Sequence, residues 1–128
     1  MLDDIKSKLL ELQTENRDSF GEAVIYGRAT SDNVPAKWNY ITFNRTIIKR
    51  SGTNSNDYNE YFQINLVHED YVPEENVYKI ITKLGEITGL KLASNDIEFN
   101  YIVKNRTDMV VEVATITFTH PVKGYLKR

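Results

Sequence analysis

The residues of this chain best suited to chemistry are two histidines and a short run of acids. His68, Glu69 and Asp70 stand together, and His120 lies far downstream. In an extended strand His68 and Asp70 point to the same side. Two imidazoles and a carboxylate can hold zinc or a non-haem iron. Yet the histidines share no helical spacing and no recognised loop motif, and nothing in the spacing brings His120 near His68. The triplet reads instead as a strand leaving a sheet, with acids ahead of a helix that begins near Pro73. Ser51, Ser55 and Asp57 supply hydroxyls and a carboxylate, but no histidine is close in sequence to activate a serine. Gly52 is the only glycine of that stretch, which excludes a phosphate cradle of successive glycine amides. There is no G-x-S-x-G and no H-E-x-x-H. With no cysteine in the chain, disulfides, thiolate metal sites and a cysteine nucleophile are also excluded. The reading is a protein that is not an enzyme and takes no cofactor and no metal.

Nucleic-acid binding is the stronger rival. Tyr40, Phe43, Tyr61, Phe99, Tyr101 and Phe118 fall on strand-like segments, and aromatic strands can stack bases. Arg45, Lys49 and Arg50 form one small basic patch. A second lies at the C-terminus, where Lys123, Lys127 and Arg128 accompany Tyr125. A dedicated binder carries a basic excess or a basic face, whereas 16 basic residues here stand against 18 acidic ones, for a net charge of −2. A cytosolic nucleic-acid-binding domain, built on the 38–69 hairpin and its basic edge, is therefore the second reading.

The elements that position these residues follow from periodicity. Leu2, Ile5, Leu9 and Leu12 repeat at helical spacing between charged residues and predict an amphipathic helix over 2–15. A short strand is expected at about 22–28, and the turn-forming residues of 30–37 make a loop. WNYITFNRTIIKR at 38–50 is rich in strand formers, with Ile41, Phe43 and Ile47 on its more apolar face. Over 60–69, Phe62, Ile64 and Leu66 alternate with polar residues. Pro73, Glu74 and Glu75 open a second helix. Val77, Ile80, Ile81, Leu84 and Ile87 form its stripe, and Thr88–Gly89 its stop. Ile97, Phe99, Tyr101 and Val103 alternate along a further strand, 105–108 is a turn, and the last strand, 109–119, stops before Pro121. This order predicts an α+β fold: one domain over 1–128, an antiparallel sheet with a long-looped hairpin, and two α-helices packed on one face. Residues from about 122 to 128 read as a flexible tail.

The hairpin loop is the feature without an obvious purpose. Ser51, Gly52, Thr53, Asn54, Ser55, Asn56, Asp57, Tyr58 and Asn59 connect two strands, where hairpin loops usually span only ~2–5 residues. Ordering so polar a segment carries an entropic cost that a partner would offset. Tyr58 and Tyr61 are suitable anchors for one. No apolar run approaches the ~20 residues of a membrane helix, so no membrane partner is expected. Acids at Asp3 and Asp4 stand where a secretory signal is positive. The sequons at Asn44 and Asn105 accordingly read as strand and turn residues rather than glycosylation sites.

Several strings together resemble one family. WNYITFNR at 38–45, the polar loop, YFQINLVHEDYVPEE at 61–75 and MVVEVATITFTHP at 109–121 look like the tail terminator proteins of long-tailed bacteriophages, also called tail completion or tail-to-head joining proteins. The resemblance runs from the first helix to Pro121. It implies an α+β fold and a homo-oligomeric ring, commonly a hexamer, that caps the tail tube and halts its polymerisation. The partners implied are further copies of the chain, the major tail tube protein and a head-completion or connector protein. The resemblance also implies that genome DNA passes through the ring without sequence-specific binding. The location implied is the virion, at the head–tail junction, after assembly in the host cytoplasm. On this view Ser51–Asn59, with Arg45, Lys49 and Arg50, contacts a neighbouring subunit or the tail tube. Lys123, Tyr125, Lys127 and Arg128 supply further contacts with the tail.

Overall fold

The computed structural model describes residues 1–52, 57–93 and 96–122. Helix α1 (Leu2–Glu15) turns the predicted stripe inward, burying Ile5, Leu9 and Leu12. A single helical turn, α2 (Arg17–Phe20), follows and buries Phe20. The remaining elements are β1 (Ala23–Tyr26), β2 (Tyr40–Arg50), β3 (Tyr58–Glu69), α3 (Glu74–Leu84), β4 (Lys91–Leu92), β5 (Glu98–Val103) and β6 (Val110–Val122). The fold is α+β, with one sheet ordered β1-β2-β3-β6-β4 and β5 also on β6. The central strand β3 pairs with β2 on one side and, along its whole length, with β6 on the other.

One face of the sheet carries the main core. Ile41, Phe43, Phe62, Ile64, Leu66, Ala114, Ile116 and Phe118 point towards α1 and α3, meeting Ile5, Leu9, Val77, Ile80 and Leu84. Both helices cover that face, as the two amphipathic stripes require. Alternation sends Tyr40, Val67 and Val111 to the opposite face. The expected antiparallel sheet is mixed instead, because β1 runs parallel to β2. Parallel neighbours need a crossover of a dozen residues or more, and the connection 27–39 supplies it. This crossover also roofs the second face, packing Ala29, Val34 and Trp38 against Ile25, Tyr40, Val67 and Val111.

Several boundaries differ from the sequence reading. α3 stops at Leu84 rather than at Thr88–Gly89, because Glu86 N and Ile87 N donate three residues back and tighten the chain into turns. Pro121 lies within β6, opposite Asn59. β4 pairs with β6 only at Phe118 and Thr119. Among the described residues β6 therefore has no neighbour on that side at Pro121, where a proline is tolerated. Val122 pairs with Tyr58 and so is not part of a tail.

Candidate assembly surface

The distal half of the β2–β3 hairpin is built around a β-bulge. The ladder steps from Arg45 opposite Phe62 to Ile47 opposite Tyr61, so Thr46 is the extra residue. The extra residue reverses the facing of β2 beyond it. Ile47 therefore leaves the helical face on which alternation with Ile41 and Phe43 would place it, and stands 49% exposed. Every residue from Arg45 to Arg50 is exposed. Thr46 Oγ1 donates to Tyr61 O at 3.3 Å and ties the bulge to β3.

Aromatic and basic side chains interleave along this arm. Lys49 Nζ lies 5.3 Å from the Tyr61 ring centroid, and the Arg50 guanidinium 5.9 Å from that of Tyr58. Such contacts hold a cation near a ring face and stiffen both side chains. At the tip Ser51 N donates to Asp57 O at 2.8 Å, and Asn59 Nδ2 to Ser51 Oγ at 3.2 Å. Tyr58 and Asn59 thus belong to β3 rather than to the loop, opposite Arg50 and Lys49. The connection narrows to 51–57. Thr53, Asn54, Ser55 and Asn56 lie outside the described residues, as do Lys123, Tyr125, Lys127 and Arg128.

Sheet register separates the two histidines. His68 stands opposite Glu112 at one end of the β3–β6 ladder, and His120 opposite Glu60 at the other. Those levels are eight residue steps apart along β3, roughly 26 Å of strand. His68 Nδ1 is 2.8 Å from Glu69 O, and His120 Nδ1 is 3.9 Å from Glu60 Oε1. The pair cannot share a metal ion. The strand aromatics divide as well. Tyr40, Phe43 and Phe118 are core residues, and Tyr61 lies partly buried beneath Lys49. Phe99 and Tyr101 are exposed, but on β5, across the sheet from Arg45, Lys49 and Arg50.

Two features escaped the sequence reading. The first is a latch on the crossover. Trp38 N donates to Glu69 Oε2 at 2.6 Å, and Lys104 Nζ reaches the same oxygen and Ala36 O, each at 2.7 Å. The Lys104 hydrogen bond, with help from Trp38 N, holds the Glu69 carboxyl below its usual range despite partial burial. The second is β5, whose alternation resembles that of a covered strand. All six of its residues are exposed, because α1 and α3 leave that side of the sheet uncovered. Tyr101 hydrogen-bonds Glu112, which raises its hydroxyl pKa. Glu112 Oε1 also accepts from Val72 N at 2.7 Å.

No protein-family model matches the chain, and the comparison with curated proteins returns no match either.

Proposed function

We propose that this chain is a structural virion protein whose copies form a ring on the end of a phage tail tube, stopping its growth and offering a surface to the head. The observation that supports this most directly is the β2–β3 arm. It extends the sheet beyond the helical layer as an exposed, cation-studded hairpin, while the residues suited to chemistry stand apart. A head-to-tail ring needs two different surfaces on each subunit. The molecule offers the basic arm at one edge of its sheet and the apolar strand β5 at the other. The family resemblance of the strings at 38–45, 61–75 and 109–121 names the assembly. Its partners in this reading are further copies of the chain, the tail tube protein and a head connector, with genome DNA passing through.

Replacing Thr53–Asp57 by a Gly-Ser linker of equal length leaves every described strand residue in place. The variant is expected to fold as the parent does and to leave tail tubes uncapped when the two are mixed, seen as overlong tubes by electron microscopy. Normal completion of infectious particles by this variant would remove the loop from the contact. Failure of the parent chain to bind tube ends would remove the capping function. A salt-dependent shift of labelled DNA by the parent would favour the nucleic-acid reading instead.

A further inference from the structure

Among the described residues, beside the short end strands β1 and β4, the sheet has two open edge segments of equal length and unlike chemistry. β1 covers β2 only along Tyr40–Phe43, so among the described residues Arg45–Arg50 pairs with β3 alone. On the far side β5, Glu98–Val103, pairs among the described residues with β6 alone. Open edges are templates for another strand, and proteins guard them with lysine, proline, bulges or cover. The β2 edge has a bulge and the basic residues Arg45, Lys49 and Arg50, which oppose pairing with a second copy of itself. β5 reads EFNYIV, has none of those guards, and exposes Phe99, Tyr101, Ile102 and Val103.

We propose that β5 of one copy adds to the Arg45–Arg50 edge of the next as an antiparallel strand. The head-to-tail sense rests on the ring reading above. Strand directions alternate from β2 through β3 and β6 to β5, so copies related by rotation bring β5 against β2 in antiparallel sense. Sheet faces then restrict the register. Beyond the bulge Ile48 and Arg50 take the helical face, opposite Glu60 and Tyr58. On β5 that face belongs to Phe99 and Tyr101, opposite Ala114 and Glu112. Matching like faces and opposing the charges sets Lys49 against Glu98, which places Ile48 against Phe99. One ion pair and one apolar pair thus meet across the seam, with no like charges opposed. The edges also lie at opposite ends of the sheet, since β5 is level with Tyr40–Thr42 of β2. Each repeat of the contact therefore staggers the next copy along the strands, and stagger with tilt is what closes a barrel.

The chain has no cysteine, so introduced thiols report on this contact alone. The variant Ile48→Cys/Phe99→Cys, concentrated and mildly oxidised, is expected to give covalent dimers and higher multiples on a denaturing gel. Neither single variant should cross-link, and an equimolar mixture of the two should stop at dimers. Cross-linking of Phe99→Cys alone would indicate a two-fold β5–β5 contact and overturn the proposal, as would no cross-link in the double variant. Circular dichroism of the reduced proteins checks their fold. Surface charge swaps give an independent test should the thiol variants misfold. Lys49→Glu and Glu98→Lys should each weaken self-association about fivefold, and the double swap should restore it. Unaffected single swaps, or an unrestored double swap, would overturn the register. Cross-linked multiples that leave tail tubes uncapped would keep this contact and remove the capping function. Capped tubes without cross-links would do the reverse.

Discussion

Gly21 has φ +79°, and a Cβ built there would lie 1.7 Å from the carbonyl oxygen of Asn39. Asn39 cannot simply move away, because it is buried and its Oδ1 accepts from Glu69 N at 3.2 Å. Gln13 Nε2 donates to Gly21 O at 3.2 Å, tying α1 to the same point. Gly27 has a similar φ of +86° but nothing within 4 Å of the added atom. Gly21→Ala should therefore cost at least about 3 kcal/mol through overpacking and backbone strain. Gly27→Ala should cost about 1 kcal/mol from strain alone. Denaturant unfolding of the two variants separates the causes, and equal losses would contradict the close approach. Periodicity in the sequence does not single out Gly21. Its contact is made by a residue beyond β1, so no local pattern reveals it.

The crossover 27–39 depends on two charged residues that no sequence window joins. Glu69 ends β3 and Lys104 follows β5, and together they clasp Trp38 and Ala36. The folded-state pKa of Glu69 is depressed. Its contribution to stability is therefore complete above the unfolded carboxylate pKa and is lost as pH falls through the folded one. Glu69→Gln should lower stability near neutral pH by on the order of 1 kcal/mol, a low value for a charged hydrogen bond because solvent screens it. The variant should also flatten the acid limb of the stability curve. Unfolding free energies measured between about pH 3 and 7 test this, and parallel curves for parent and variant would refute it. The stripes of α1 and α3 and the alternation of β3 were legible because each element has a covered face of its own. β5 misled because its alternation is genuine but lies beyond the reach of the helices. The facing of Ile47 was hidden by the bulge, since one extra residue inverts alternation without altering composition.

For the molecule as a whole, the α+β class followed from the order of periodic segments, but the parallel placement of β1 did not. A strand as short as Ala23–Tyr26 loses little by pairing in parallel, so the crossover decides its sense. The surface on which assembly is proposed was partly legible: Arg45, Lys49 and Arg50 stood out, while their counterpart on β5 did not. Exposed charges at these edges would make the proposed association sensitive to salt, because screening shortens from ~10 Å at 0.1 M to ~3 Å at 1 M ionic strength. Self-association measured by sedimentation should weaken roughly fivefold over that range, with the remainder held by apolar contact and backbone pairing. Association that does not respond to salt would remove the ionic component of the seam.

The position of β6 has a consequence for biosynthesis. β3, β4 and β5 all pair with it, yet Val110–Val122 follows all of them in the order of synthesis. Until then the nascent chain can hold α1, the β2–β3 hairpin and α3, while β3 has one bare flank and β5 has no partner. Pairings this distant in sequence close slowly, and a bare strand flank invites wrong partners meanwhile. The interval between translating Glu69 and Val122 is thus when the polypeptide is most open to chaperone capture or aggregation.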